Sequence, residues 1–359
     1  MRIGLVTMWA NRGQGIVAKQ VREILDAAGH ETFVLARPVQ SISPLPNRID
    51  VRPEWQEPGV TVASANAIPV LEYLDWAAGT GIEVMLADQN TQFGEIAAVR
   101  ASGVRTIGRF VWERFGEKQV DGALDAFDLI YSVTRAEQAR YRSLFGIEAP
   151  YVRYGIHPSL MDRSAPKRKG PTTFIFHGGL QGARKPIAST VEAFKRVDRS
   201  DIRLIIKSQA VKGVSEEVSI LDDDRIEHVV EDMPFDDYVD FYSSCHVCLT
   251  PTRWEGLGVW LYESLGFGMP VISTDIAPVN EVIHHGVNGL LARAIEVGQK
   301  KRGVPSYDPD IGHLSETIAE LADRDRLEKM QASLVADRSR LSWDHTVGDY
   351  LDLIEGRIG

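Results

Sequence analysis

Glu255 and Glu263 are the pair of side chains whose type and spacing most suggest chemistry. Both lie in the stretch Pro251-Thr-Arg-Trp-Glu-Gly-Leu-Gly-Val-Trp-Leu-Tyr-Glu-Ser-Leu-Gly-Phe-Gly-Met-Pro-Val-Ile-Ser-Thr-Asp275. The first stands before a glycine-punctuated helix start and the second falls two turns into that helix. At about 1.5 Å of rise per residue this places them roughly 12 Å apart along the axis. Two carboxylates serving one glycosidic bond stand about 5–9.5 Å apart, so the spacing disfavours an acid/base pair. It suits a clamp on a long anionic molecule with polar ends and phosphate between them, the shape of a sugar nucleotide. Gly256 and Gly258, flanking Leu257, would let the backbone close on such a ligand. The helix N-terminus they open offers free N–H groups and the positive end of a dipole. A diphosphate leaving group is stabilised at such a place as its charge grows. The plainer alternative makes Glu255 a complement to the helix dipole and Glu263 a surface residue.

A second phosphate candidate is the loop His177-Gly-Gly-Leu-Gln-Gly-Ala-Arg-Lys-Pro186. Its three glycines, Gly179 among them, permit a backbone wrapped around an anion, with Arg184 and Lys185 beside the following helix. Lys207, at the end of Leu204-Ile-Ile-Lys207, could face the same diphosphate or sit in solvent as a strand-end lysine. Near the N-terminus, Gly13-Gln-Gly15-Ile-Val-Ala18 fits Gly-x-Gly-x-x-Ala and raises a dinucleotide-binding dehydrogenase as a rival. Four residues separate that glycine from the strand, and the second strand ends in Ala36-Arg37-Pro38 rather than an acidic ribose ligand, which weakens the rival. Asp88-Gln-Asn90-Thr-Gln92 is a further polar cluster at a strand end, where helix capping is the alternative use.

These residues need strand ends to hold them, and the chain supplies strands in alternation with helices throughout, the pattern of parallel sheets with crossover helices. Strands are expected at Ile3–Met8, Thr32–Ala36, Val60–Ala63, Val84–Ala87, Arg105–Phe110 and Leu129–Val133. A second set is expected at Thr173–Phe176, Arg203–Lys207, Ile226–Val229, Val247–Leu249, Pro270–Ser273 and Gly289–Ala292. Helices such as Ile16–Ala28, Phe93–Ala101, Arg135–Phe145, Ile187–Arg196 and Asp236–Ser244 lie between them, and helical sequence runs from Ile311 to the end. Met161-Asp-Arg-Ser-Ala-Pro-Lys-Arg-Lys-Gly-Pro171 breaks the rhythm and reads as an interdomain linker with a solvated Lys-Arg-Lys run. The expected architecture is α/β, two Rossmann-like, doubly wound parallel-sheet domains facing across a cleft, where open sheets of this kind bind ligands. Residues 1–160 form the first, 161–171 the linker and 172–341 the second.

Composition narrows the function classes. At 359 residues, 44 % hydrophobic and 25 % charged, the chain can build two soluble cores. A net charge of −10 argues against a general nucleic-acid binder. Cys245 and Cys248 are too few for a disulfide framework or a zinc site and read as buried reduced thiols. Met1–Trp9 reads as a first strand and not a signal peptide, and no run reaches the ~20 apolar residues of a membrane span. A cytoplasmic protein is expected, with peripheral association at the inner face of a membrane left open. Asp222-Asp-Asp224, in Leu221–Arg225, reads as a solvated turn and His284-His285 as part of a turn, so no metal is expected.

Over nearly its whole length the second half resembles the nucleotide-sugar-binding domain of retaining glycosyltransferases of fold type B, family 4, a bacterial group of hexosyltransferases. The residues that carry this are Tyr242–Leu249 leading into Pro251–Gly258, the Glu-x7-Glu pair, Gly268-Met-Pro-Val-Ile-Ser-Thr-Asp275 and Asn280-Glu-Val-Ile-His-His-Gly-Val-Asn-Gly-Leu-Leu291. The resemblance implies a retaining, metal-independent transfer of a hexose-type sugar from a UDP-, GDP- or ADP-sugar to an acceptor hydroxyl, without a cofactor. It implies that Glu255 accepts from sugar hydroxyls, that Glu263 accepts from the ribose, and that Lys185 and the Glu255–Gly258 backbone hold the diphosphate. Gly179 stands where the family has an arginine, and Arg184 is the nearby substitute. Gly13 and Gly15 would face donor phosphates and acceptor. Many relatives place a histidine in the region of Thr106–Arg114; here Trp112 or Glu113, with Asn90, would serve the acceptor side. Trp343 resembles the terminal segment that crosses back, which adds residues from about 342 to the first domain. An epimerase or phosphorylase on the same fold is the nearest alternative, and a non-catalytic binding protein the most distant.

Overall fold

The computed structural model describes residues 1–38, 49–161, 165–179, 182–209, 222–300 and 302–358. These fall into two units, Met1–Arg153 with Thr346–Gly359 and Tyr154–His345. The first holds a parallel sheet of β1 (Arg2–Met8), β2 (Glu31–Arg37), β3 (Val60–Val62), β4 (Val84–Asp88), β5 (Arg105–Arg109) and β6 (Leu129–Tyr131). Their spatial order is β3-β2-β1-β4-β5-β6. The second holds β7 (Thr172–Gly179), β8 (Ile202–Ser208), β9 (Ile226–Val230), β10 (Val247–Leu249), β11 (Val271–Thr274) and β12 (Gly289–Ala292), in the order β12-β11-β10-β7-β8-β9. Counted from each unit's own first strand, the two orders are the same. All pairs within both sheets are parallel.

The strands are nearly continuous apolar runs because helices cover both faces. In the first unit Val6, Leu35, Met85 and Ile130 meet Ile96 and Val99 of the helix Phe93–Ala101 and Tyr73 of the helix Val70–Thr80. In the second, Phe174, Phe176, Leu204 and Ile206 meet Val191 and Phe194 of the helix Ile187–Lys195 and Leu314 and Ile318 of the helix Ile311–Ala322. At about 25 cal/mol per Å² of apolar area, burial on this scale is what offsets chain entropy in each unit.

This order reverses direction between β1 and β4 in one sheet and between β7 and β10 in the other. A loop leaving one of those strands runs to one face and its neighbour to the opposite face, which opens a crevice at the strand C-termini. The segments Asn11–Gly15 and Gly182–Pro186 follow β1 and β7, while Gln89–Gln92 and Pro251–Gly258 follow β4 and β10. Both glycine-rich segments, the Asp88 cluster and the Glu255 segment thus sit at a reversal.

Some elements differ from expectation. The segment from Ala165 to Pro171 is not a free linker but part of the second unit, because its charges are used there. Lys167 Nζ donates to the carbonyls of Ser243 and Cys245, both at 2.8 Å, and of Phe267 at 3.3 Å, which caps two helix ends. The Arg168 guanidinium lies over the Phe241 ring; Asp162, Arg163 and Ser164 fall outside the described residues. The first unit ends at Arg153, before the expected 160, and resumes at Thr346. Arg105 donates to the carbonyls of Ile354 and Leu353, Arg153 pairs with Asp349, and Tyr131 meets Tyr350, so the final helix Trp343–Ile354 is bound to β5, β6 and the segment after it. The helix expected over Arg135–Phe145 is α only to Arg140 and widens to a π turn at Tyr141–Phe145. The hairpin of β13 (Ala294–Gln299) and β14 (Pro305–Pro309) was not anticipated.

Candidate functional site

The second unit brings Arg184, Lys185, Glu255, Gly256, Leu257 and Gly258 together. Two loops that leave adjacent strands are stitched by their backbones: Arg253 N–H donates to the Arg184 carbonyl at 2.9 Å. Arg253 also reaches the carbonyl of Ala183 and the carboxylate of Asp308 on β14, so one side chain ties three segments. At Gly258 the chain turns through a left-handed conformation, φ +72°, directly before the helix Val259–Gly266. A Cβ there would stand 2.8 Å from Leu261 Cδ1 and 3.1 Å from Glu255 Cγ. Glycine is therefore required by both dihedral and space.

Glu255 is 3 % exposed and fully engaged. Its Oε1 accepts from Arg184 Nη1 at 3.0 Å and from Gly256 N–H at 3.1 Å, and its Oε2 accepts from Trp260 Nε1 at 2.9 Å. Lys185 Nζ stands 3.6 Å from Oε2. Burial alone would raise the Glu255 pKa, but the Arg184 and Lys185 charges and the indole and amide donors hold it down at about 2. Burial lowers Lys185 to about 8 against the pull of Glu255. Lys185 is buried and makes no hydrogen bond among the described residues. A buried ammonium with unspent donors is costly unless something completes it, and an anion would.

Glu263 is also buried, on the helix Val259–Gly266, and accepts from the Tyr238 hydroxyl at 3.0 Å. Burial raises it to about 7, only partly offset by that bond. His177 Nδ1 lies 3.4 Å from the same hydroxyl, and burial with the Lys185 charge lowers the imidazole to about 3. Gly179 adopts φ +54° at the end of β7 with open space around it. An arginine there would be strained, whereas the Arg184 guanidinium reaches the site from the next turn. Leu180 and Gln181 lie outside the described residues.

Lys207, expected either to face a diphosphate or to sit in solvent, is buried. Its Nζ donates to the carbonyls of Ser208 and Glu231, which ties the ends of β8 and β9.

In the first unit, Gly13 and Gly15 open the helix Gly13–Ala27. Space is open at Gly13, but a Cβ on Gly15 would meet the Ala10 carbonyl at 2.1 Å, so Gly15 is needed for loop packing. Gln14 Nε2 donates to the Asp88 carbonyl at 2.9 Å. Asn90 is fully buried; it donates to Tyr73 and accepts from Gln92 N–H, so its expected acceptor contact gives way to a structural one. Trp112 and Glu113 lie in a short turn of helix after β5, both half-buried. Behind them Arg109 forms a buried pair with Asp88 at 3.0 Å.

Sequence reasoning did not single out Trp260, Tyr238 or His177. Trp260 lies inside the quoted motif, and the one clue was an indole in the first helical turn after Glu255. Tyr238 carries no local signal, because it meets Glu263 only through the fold.

Among the described residues no group of three or more His, Cys, Asp or Glu is placed to hold a metal ion. Asp223 is bound to Arg225, His285 accepts from Leu291 N–H, and His284 is used near Asp337. Leu221 lies outside the described residues. No helix among them is long and apolar enough to cross a membrane. Cys245 and Cys248 are buried free thiols.

Two doubly wound units with identical strand order, the second presenting cations at a glycine-bounded helix start, define the fold of type B glycosyltransferases. Residues 171–299 match the family described as "Glycosyl transferases group 1". D-inositol 3-phosphate glycosyltransferase of Nocardia farcinica is 27 % identical over 148 residues, 41 % of this chain and 28 % of that protein. The chain thus spans under a third of the length of that curated relative. Among solved structures, Anabaena Alr3699/HepE in complex with UDP-glucose superposes with a TM-score of 0.74 at 13 % identity, covering 99 % of this chain and 100 % of that one. Sucrose-phosphate synthase from Thermosynechococcus elongatus gives 0.72 at 16 % identity, covering 99 % of each. At these identities the likeness is one of fold.

Proposed function

We propose that the chain is a retaining, metal-independent glycosyltransferase that moves a hexose-type sugar from a nucleoside-diphosphate sugar to an acceptor hydroxyl. The observation that carries the reading is Lys185, a buried ammonium without a hydrogen bond, beside Arg184 and the Val259–Gly266 helix start. A diphosphate placed there would complete the lysine's donors and meet the backbone N–H groups after Gly258. The Anabaena structure of the same fold was solved with UDP-glucose, which suits such a donor.

In this reading Glu255 is less a free acceptor for sugar hydroxyls than an anchor that aims Arg184 and Lys185. Glu263, buried and close to neutral pH in its titration, accepts from the ribose. As the sugar–phosphate bond breaks, Lys185 and the backbone hold the growing charge on the departing oxygen, and that oxygen helps take the acceptor proton on the same face. No side chain of the site is used as a nucleophile. Residues of the first unit, Gly13, Trp112 and Glu113 among them, serve the acceptor. The reading extends to glycan, glycolipid or small-glycoside synthesis in the cytoplasm or at a membrane face.

A thermal-shift panel of UDP, GDP, ADP and their sugars tests the donor, since binding stabilises by mass action. Release of nucleoside diphosphate only with an acceptor hydroxyl present separates a transferase from an epimerase or phosphorylase. Inversion at the anomeric carbon, or loss of turnover on chelation, would sink the mechanism.

A further inference from the structure

Trp260 touches both charges on which the proposed donor site turns. Its indole Nε1 donates to Glu255 Oε2 at 2.9 Å, and its ring carries the Lys185 ammonium 4.6 Å from a ring centroid. All three side chains are buried. A buried ammonium facing a buried carboxylate ordinarily closes to a hydrogen bond of about 2.7–2.9 Å. Here Nζ stops 3.6 Å from Oε2 and donates to no group among the described residues. The indole accounts for the gap. Its N–H takes one of the two acceptor sites on the oxygen that faces Lys185, and its electron-rich face draws the ammonium aside without consuming a proton. The turn at Gly258 makes this possible, because it folds the first turn of the helix Val259–Gly266 back over the Glu255 carboxylate.

We propose that Trp260 is a positioning residue of the donor site, holding Lys185 and Glu255 at ion-pair distance without letting them close to a hydrogen bond, so that the lysine keeps its protons for the phosphate oxygens of a nucleoside diphosphate. This rests on the donor reading above. The other groups that face Lys185 leave Glu255 as its natural partner. Arg184 is a like charge already bound to Oε1. His177 at the end of β7 is held neutral by burial and the lysine itself, and burial keeps Cys248 on β10 a thiol.

The test compares the full chain with Trp260→Leu, which removes ring and donor, and Trp260→Phe, which keeps a ring and loses the N–H. Lys185 is followed by NMR of labelled lysine side chains, assigned with Lys185→Arg, and binding of UDP, GDP and ADP by calorimetry. In the leucine variant Lys185 closes on Glu255, its titration moves up from about pH 8 by one pH unit or more, and the nucleotide Kd rises about tenfold. The donor KM follows the Kd while kcat changes less than threefold. The phenylalanine variant shifts both in the same direction by about threefold, and it decides the matter if the leucine variant does not fold. A wild type that binds one of the nucleotides, with variants that fold, bind equally well and leave Lys185 titrating as before, overturns the role of Trp260. A wild type that binds none of the three overturns the donor reading and this proposal with it.

Discussion

Glu263→Gln separates a buried titrating carboxylate from a passive polar residue. Burial raises the Glu263 pKa from 4.5 to about 7, a difference equivalent to about 3 kcal/mol at 25 °C. The native state holds this proton more tightly than the unfolded chain does. The contribution is therefore intact below pH 4.5, falls as pH rises from 4.5 through 7, and is lost above that. Glutamine keeps an oxygen for the Tyr238 hydroxyl and removes the titration. Wild type and variant should be equally stable near pH 4.5, and the wild type should trail by about 3 kcal/mol at pH 8.5, or about 5–10 °C in Tm for a unit of this size. Thermal unfolding followed by circular dichroism from pH 4.5 to 8.5 measures the divergence. A constant offset across that range, or a wild type that gains on the variant with rising pH, would refute the reasoning. Nucleotide binding supplies a second axis: ribose hydroxyls donate best to the ionised carboxylate, so wild-type affinity should strengthen through pH 7 while that of the variant stays flat.

Glu255→Gln should behave with the opposite sign, since its native pKa of about 2 lies below the ordinary 4.5. About 3 kcal/mol should be missing at pH 7 and the difference from wild type should vanish as pH falls from 4.5 towards 2, read from urea midpoints. Lys185→Met should leave the fold intact, since it removes a buried unspent charge, yet lower turnover by about 10²–10³-fold, on the scale of losing one preorganised charge-stabilising donor; a loss under tenfold in steady-state kinetics would count against the site. Gly258→Ala should cost about 1–2 kcal/mol from its φ alone, with more from the 2.8 Å approach to Leu261, and unchanged unfolding would show that the turn is not needed. Asp88→Asn strands the Arg109 guanidinium and should cost about 3–5 kcal/mol in urea unfolding, where a loss below 1 kcal/mol would show the pair to be dispensable.

How much of this was legible in the sequence follows from the range of the interactions involved. Strands were readable because a parallel sheet buried on both faces writes itself as short apolar runs, and all twelve of its segments lie within a few residues of their expected places. The meeting of Lys185 with Glu255 was readable because both lie in glycine-rich segments at strand ends. Lys207 and Asn90 share that position, but their partners are backbone or side-chain groups brought near by folding, so residue type alone did not show these bonds. The Lys167–Lys169 run shows the same failure: three basic residues look solvated until two helix C-termini arrive to use Lys167. Trp260 was overlooked for a different reason. A tryptophan in an apolar helix reads as core, and it is core; its N–H and ring face acquire meaning only once Glu255 and Lys185 are placed against them.

The two reversals of strand order carry this argument one step further. Identical topology places a glycine loop and a polar strand end side by side in each unit, so the fold alone cannot say which would take an anionic donor. The electrostatics can. At the first, Arg109 is neutralised by Asp88, Asn90 is spent on Tyr73, and Gly15 is glycine because of Ala10. At the second, two cations share one carboxylate and the buried one has donors to spare. A positively biased crevice at a helix N-terminus attracts phosphate, whereas a neutralised one leaves selectivity to shape and hydroxyl contacts. Charge reversal at Lys185 should therefore abolish nucleoside-diphosphate binding in calorimetry, while charge removal at Arg109 by methionine should leave the nucleotide Kd within about threefold; equal losses from both would show that the asymmetry in charge does not assign the ligand.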